Sequence, residues 1–283
     1  MMQRYDFNPA NDDKPILHLA HANGFPPQVY HDLIGYFSEE YHAICFPARP
    51  LWENPPDYQT FDNWHIMADD LIAAFDQEGL KNVVGIGHSM GGTATLLAAL
   101  KRPDLFSAII VLDPVLFPRT LIRLMTVIPH WLPHPEIPLV KVALRRKRAW
   151  ATPEEAFERF RSRTLFKHWS DETIWRYIEG ITQPDSINGG ITLRYTPEWE
   201  AQIYATSMYS LRGWWKWLKQ IQVPTAAIQG GNTDTFLPAA VSLWRKTRPD
   251  FPVEVLEGQG HLFPIDAPAE TAQMIKALLK RLK

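Results

Sequence analysis

Cysteine is nearly absent from this sequence. Its 283 residues include a single one, Cys45, in the apolar run 43–46. One thiol can form neither an internal disulfide nor the Cys-x-x-Cys pair of many zinc sites, so we expect a buried, reduced thiol. The sequence therefore predicts no metal site.

Long hydrophobic runs are also missing. No uninterrupted apolar stretch approaches the ~20 residues that a membrane-spanning helix needs. The first residues are polar and lack the apolar stretch of a secretion signal. We therefore expect a cytoplasmic protein without a membrane span.

Neither sign of charge dominates. The chain has 29 Lys and Arg against 31 Asp and Glu, a net charge of −2, which gives no indication of nucleic-acid or membrane binding. We expect its one basic run, residues 141–148, to be a solvated helix face. No glycine pattern typical of phosphate binding occurs, so we predict no cofactor.

The order of apolar runs and amphipathic segments indicates an α/β fold. Each expected strand is a continuous apolar run, which is typical of a mostly parallel sheet flanked by helices on both faces. Such sheets gather reactive groups at the carboxyl ends of their strands. The expected strands cover residues 15–20, 42–46, 82–87, 106–112, 224–231 and 253–256.

Residues 115–222 interrupt this alternation. The stretch shows no clear strand, is divided by prolines, and contains eight of the 11 tryptophans. We predict a core domain from residues 1–114 and 223–283 and a helical cap domain from residues 115–222. Helices are expected at 119–128, 139–149, 153–166, 171–180 and 198–218.

Residues 87–91, Gly-His-Ser-Met-Gly, follow an expected strand and precede a helix-favouring run. The G-x-S-x-G nucleophile elbow has this context. Glycines flank the sharp turn because side chains at Gly87 and Gly91 would collide with neighbouring elements. The pattern predicts Ser89 as a nucleophile, and the alternative is a glycine-rich turn without chemistry.

A serine nucleophile needs a general base, which in turn needs an orienting carboxylate. His261 is the candidate base, because it lies in a glycine-bracketed loop directly after the last expected strand. Asp234, in the loop after strand 226–229, is the preferred acid because it gives the chain order Ser, Asp, His. Asp113, which ends the strand before residue 115, is the alternative acid.

Attack on a carbonyl group creates an oxyanion, which needs N–H donors held in place. The Met90 N–H, at the start of the helix after Ser89, is one candidate. The loop after the first buried strand should supply the other, and the Phe25 N–H is the preferred donor there. The alternative is that this loop is a plain turn.

Together these motifs resemble the α/β-hydrolase superfamily over essentially the whole chain. Residues 87–92 resemble its nucleophile elbow, residues 230–238 its acid loop, and residues 260–268 its histidine loop. Residues 23–26 resemble the His-Gly-x-Pro oxyanion loop of the capped branch that includes epoxide hydrolases, with Asn23 in the place of histidine. The epoxide hydrolases and dehalogenases of that branch use an aspartate nucleophile, and Ser89 argues against both activities.

We therefore predict a serine hydrolase that cleaves a small to medium carboxylic ester through an acyl-enzyme. Its partner would be a partly apolar small molecule, and the cap aromatics would either line the cleft or form the core of the cap. The resemblance leaves three alternatives open: a C–C bond hydrolase, a cofactor-free perhydrolase, and a non-catalytic small-molecule receptor with this fold.

Overall fold

The computed structural model describes residues 3–11, 13–126 and 137–282. Its strands are β1 Tyr5–Asp6, β2 Ile16–Ala20, β3 His42–Cys45, β4 Val83–His88, β5 Phe106–Leu112, β6 Ala149–Trp150, β7 Thr182–Pro184, β8 Ile191–Leu193, β9 Thr225–Gly230 and β10 Val253–Leu256. Its helices are α1 His31–Gly35, α2 His65–Gln77, α3 Met90–Lys101, α4 Arg119–Thr126, α5 Pro138–Leu144, α6 Pro153–Arg161, α7 Asp171–Ile181, α8 Pro197–Ser210, α9 Trp214–Leu218, α10 Pro238–Thr247, α11 Phe263–Asp266 and α12 Pro268–Leu282.

The central sheet confirms the predicted α/β fold. Within the described residues it has seven strands in the order β1-β3-β2-β4-β5-β9-β10. Only the edge strand β1 is antiparallel to its neighbour, and every other pairing is parallel. Strands β3 and β4 are buried along their whole length, as expected for a sheet covered on both faces. Cys45 ends β3 as a buried, free thiol.

Residues 115–222, called the inserted segment below, connect β5 to β9 and contain helices α4 to α9. The expectation that this stretch holds no strand is wrong, because β6, β8 and β7 form a small antiparallel sheet there. These strands are two or three residues long, too short to show a periodicity in the sequence. The last two residues of the helix expected at 119–128 lie outside the described residues.

The described tryptophans of the inserted segment contact both the segment itself, as Trp150 contacts Phe160, and the rest of the chain, as Trp199 contacts Phe61. Trp150, Trp169, Trp199, Trp214 and Trp217 are buried. Each buried indole ring removes a large apolar area from water and so stabilises the packing around it. Across residues 3–11, 13–126 and 137–282, no helix has the length and apolar character needed to cross a membrane.

Candidate active site

Ser89 lies at the tip of a sharp turn between β4 and α3. Its backbone has φ 55° and ψ −118°, a conformation that non-glycine residues rarely adopt. A Cβ atom on Gly91 would lie 2.2 Å from the Ala20 carbonyl oxygen, and one on Gly87 would lie 2.5 Å from the Gly92 Cα. The turn therefore requires glycine at both positions, as the elbow pattern predicts.

The structure brings Ser89 and His261 into hydrogen-bond contact. The His261 Nε2 is 2.9 Å from the Ser89 Oγ, and the His261 Nδ1 is 2.6 Å from the Asp113 Oδ2. Because an ionised carboxylate only accepts hydrogen bonds, the neutral imidazole has its proton on Nδ1. Its Nε2 lone pair then faces the serine hydroxyl, the arrangement a general base needs.

The Asp113 carboxylate is held from several sides. The residue directly follows β5, has φ 45° and is wholly buried. Its Oδ1 accepts a hydrogen bond from the Gly230 N–H at 3.2 Å, and its Oδ2 also accepts one from the Thr233 hydroxyl. These donors satisfy a buried carboxylate that would otherwise be costly to desolvate, and they fix it against His261.

The sequence-based preference for Asp234 is therefore corrected in favour of the alternative acid, Asp113. Asp234 is exposed, and its Oδ1 accepts a hydrogen bond from the neighbouring Thr235 hydroxyl at 3.2 Å. It lies four residues beyond the end of β9, in a turn, whereas Asp113 directly follows β5. Chain order could not separate the two, because both lie between Ser89 and His261.

The two expected oxyanion donors have different surroundings. Met90 begins α3, and the first N–H groups of a helix have no acceptor within that helix. The Phe25 N–H instead donates to the Ala22 carbonyl oxygen at 3.2 Å, closing a turn that contains Gly24 at φ 76°. A substrate oxygen at Phe25 would thus compete with a long hydrogen bond inside the turn.

Asn23 links this loop to the inserted segment. Its Oδ1 accepts a hydrogen bond from the Tyr195 hydroxyl at 2.6 Å, and its Nδ2 donates to the Glu200 carbonyl oxygen at 3.1 Å. Both the donor and the acceptor of the amide are thus used, and the residue is buried. At the position where the resemblance leads one to expect histidine, the asparagine amide therefore has hydrogen-bond partners in the inserted segment.

Helix α7 also packs on the loop. The Phe25 ring lies 6.2 Å from the Trp169 ring and 6.0 Å from the Tyr177 ring, measured between centroids. A Cβ atom on Gly180 of α7 would lie 2.5 Å from the Pro26 side chain. The loop after β2 is thus held by the inserted segment as well as by the sheet.

Sequence reasoning missed Thr233 and Tyr195, the hydroxyl partners of Asp113 and Asn23. Thr233 sits beside the residue chosen as the acid, and only the fold shows that its side chain reaches Asp113. Tyr195 lies 172 residues from Asn23 along the chain, so no local pattern connects them. In the part of the chain that the structure describes, no group of three or more His, Cys, Asp or Glu side chains is placed to hold a metal ion.

A family model described as "Alpha/beta hydrolase family" matches residues 19–274. The chain belongs to this family. It is 26% identical over 282 residues to strigolactone esterase D14 of Arabidopsis thaliana, covering 94% of this chain and 92% of that protein. It is 29% identical over 98 residues to karrikin insensitive 2 receptor IA of Petunia hybrida, covering 34% of this chain and 36% of that protein.

Solved structures agree with this membership at the level of the fold. The crystal structure of E-2-(acetamidomethylene)succinate hydrolase superposes with a TM-score of 0.75 at 18% identity, covering 94% of this chain and 91% of the other. The family match confirms the resemblance to the α/β-hydrolase superfamily inferred from the motifs, and this superposition confirms the fold.

Proposed function

We propose that the protein is a serine hydrolase that cleaves a small to medium carboxylic ester. The observation that carries the proposal is the continuous hydrogen-bonded array from Ser89 through His261 to Asp113, with heavy-atom distances of 2.9 and 2.6 Å. Such an array activates a serine hydroxyl that is otherwise a poor nucleophile at neutral pH. Its position at the carboxyl ends of β4 and β5 suits a reaction on a bound small molecule.

In the proposed reaction, the Ser89 Oγ attacks the acyl carbon while the His261 Nε2 takes the hydroxyl proton. The N–H group of Met90 stabilises the oxyanion of the tetrahedral intermediate, and the Phe25 N–H adds a second hydrogen bond when the oxyanion displaces the Ala22 carbonyl oxygen. The intermediate collapses to acyl-Ser89 as His261 donates its proton to the departing alcohol oxygen. Asp113 stabilises the imidazolium at each stage.

Water then completes the cycle. His261 takes a proton from a water molecule, which attacks the acyl carbon of acyl-Ser89. When this second intermediate collapses, the Ser89 oxygen leaves, regains its proton from His261, and the carboxylic acid is released. The step needs no group beyond those described and a water molecule.

The inserted segment would serve as the cap domain over a core formed by residues 1–114 and 223–283. Its contacts with Asn23 and Phe25, in the loop of one expected oxyanion donor, support this role. Sites that bind small organic ligands are commonly lined by apolar side chains. We therefore expect a partly apolar small-molecule ester as substrate. The Arabidopsis thaliana relative is named an esterase, which supports this bond type.

A second candidate is a small-molecule receptor that keeps the same array. It is favoured by the similarity to a Petunia hybrida protein named as a receptor. Such a receptor would bind its ligand with little or no turnover, so a binding measurement and a turnover measurement separate the two functions.

Labelling with a fluorophosphonate tests the nucleophile. We expect the wild-type protein to label and Ser89→Ala to lose labelling, because only an activated serine reacts with this probe. Ser207→Ala is the matched control, since Ser207 is also buried but its hydroxyl donates to the Tyr204 carbonyl oxygen of its own helix. Equal labelling of wild type and Ser89→Ala contradicts the assignment.

A panel of acyl esters of increasing chain length tests the substrate class. Turnover of short to medium esters supports the esterase. Labelling of Ser89 without turnover of any ester contradicts it, and tight binding of a small molecule without its turnover then supports the receptor.

A further inference from the structure

His88, the residue before Ser89, contacts two parts of the chain that are far apart in sequence. It is wholly buried at the end of β4. Its Nδ1 lies 2.7 Å from the Tyr30 hydroxyl oxygen, and its Nε2 lies 2.9 Å from the His261 backbone carbonyl oxygen. The mechanism above uses neither the His88 nor the Tyr30 side chain.

The donor and the acceptor can be assigned for each hydrogen bond in the series that joins Ala22, Tyr30, His88 and His261. A carbonyl oxygen only accepts hydrogen bonds, so the His88 Nε2 carries a proton and its N–H donates a hydrogen bond to the His261 backbone carbonyl oxygen. Burial, with a smaller contribution from His261, lowers the pKa of His88 well below its ordinary value of 6.5, so the ring is neutral. Its Nδ1 therefore accepts from the Tyr30 O–H, and the Tyr30 oxygen accepts from the Ala22 N–H at 3.1 Å.

These hydrogen bonds thus connect the three loops that supply the proposed chemistry. Ala22 begins the turn that ends at Phe25, His88 precedes the nucleophile, and His261 is the base. Tyr30 and His88 are both wholly buried, so water does not compete for these hydrogen bonds.

We propose that Tyr30 and His88 are positioning residues that hold the backbone of His261 at a fixed distance from Ser89 and from the oxyanion loop. The His261 side chain is itself 23% exposed, and its two side-chain hydrogen bonds orient the ring without fixing the loop that carries it. Displacement of a catalytic group by about 1 Å can cost on the order of a hundredfold in rate. The inference rests on the proposed function, because it assigns a role within that same site.

Tyr30→Phe tests the proposal with little change in volume. It removes the hydroxyl that joins Ala22 to His88, so we expect kcat for ester hydrolysis to fall about tenfold while KM stays within about twofold. His88→Leu removes the bond to His261 and should show at least the same loss. His88→Gln, whose amide can still donate to the His261 carbonyl, should recover part of it.

The matched control is Thr225→Val. Thr225 is wholly buried in β9, and its hydroxyl donates to the Val223 carbonyl oxygen at 2.8 Å, away from the three loops. We expect Thr225→Val to lower Tm by an amount similar to Tyr30→Phe and to leave kcat unchanged. If the two variants lose the same activity, the effect of Tyr30 is general destabilisation and the proposal is overturned.

A spectroscopic measurement separates failure of this inference from failure of the proposed function. The proton shared between the His261 Nδ1 and Asp113 should give a downfield NMR resonance, expected to broaden or move upfield in Tyr30→Phe and not in Thr225→Val. An active wild-type enzyme with an unchanged resonance and kcat in Tyr30→Phe overturns the positioning role. A wild type without esterase activity overturns the proposed function, and the resonance then still decides whether Tyr30 positions His261.

Discussion

Asp113 and Asp234 differ mainly in how their carboxylates are surrounded. Asp113 is wholly buried and accepts hydrogen bonds from His261, Gly230 and Thr233. Asp234 faces solvent and contacts Thr235. A buried, fixed carboxylate can orient an imidazole and stabilise its charged form, whereas a solvated one at a distance has little effect.

We therefore expect Asp113→Asn to reduce kcat for ester hydrolysis by about 10⁴-fold, the size of effect found when the acid of such an array is replaced by its amide. Asp234→Asn, the matched control, should stay within about threefold of wild type, as expected of a residue outside the transition-state contacts. Steady-state kinetics on one ester substrate compares them. Equal losses in the two variants would contradict the assignment of Asp113.

At the scale of elements, the loop after β2, which carries the proposed oxyanion donor Phe25 and is called the oxyanion loop here, is held between the central sheet and the inserted segment. Asn23 joins it to Tyr195 and to the Glu200 carbonyl oxygen in α8. Phe25 and Pro26 pack against Trp169 and against Gly180 in α7. The inserted segment therefore supports the backbone that carries one expected oxyanion donor, in addition to lying beside the site.

Replacing Asn23 should accordingly lower kcat by more than the accompanying loss of stability can explain. We expect Asn23→Ala to lower kcat roughly tenfold, less than the 10²- to 10³-fold effect of deleting an oxyanion donor, because the Phe25 N–H remains present but less fixed. Enzyme kinetics with thermal unfolding of the same samples measures both properties.

Gln202→Ala provides the control for this prediction. The Gln202 Nε2 donates to the Phe61 carbonyl oxygen at 2.7 Å, another hydrogen bond between α8 and the core that does not involve the oxyanion loop. We expect a similar change in Tm and an almost unchanged kcat. If Asn23→Ala and Gln202→Ala have the same kcat, the Asn23 contacts only fasten the inserted segment to the core.

For the whole molecule, buried histidines link stability to pH. Burial lowers the pKa of His18 from 6.5 to about 3, with a smaller contribution from His21, and burial lowers the pKa of His21 to about 4. Below pH 6.5 the unfolded chain binds protons that the folded chain does not. The stability associated with these residues is therefore fully present above pH 6.5 and is lost as the pH falls towards the folded-state values.

Because of each of these two histidines, we expect the free energy of unfolding to be about 2 kcal/mol lower at pH 5 than at neutral pH. Urea unfolding at pH 7.5 and pH 5 measures the difference. His18→Gln should be less stable than wild type at pH 7.5, but its free energy of unfolding should fall less between pH 7.5 and pH 5. His168→Gln, at an exposed position, should follow wild type, and an unchanged pH dependence in His18→Gln would refute the role of His18.

The features that depend on neighbouring residues can be predicted from the amino-acid sequence alone. Alternating apolar runs and amphipathic segments specify the α/β order, because strand and helix patterns are local. Gly87, Ser89 and Gly91 specify the elbow, because the turn leaves no space for a Cβ atom at either glycine.

Contacts between residues that are distant in the sequence became visible only in the folded structure. It selected Asp113 over Asp234, gave Asn23 its partners in the inserted segment, and joined Tyr30 through His88 to His261. Chain order and residue type are alike for the two aspartates. What separates them is burial and hydrogen bonding. Asp113 bonds to Gly230, which is more than a hundred residues away in the sequence but lies at the end of the neighbouring strand in the sheet.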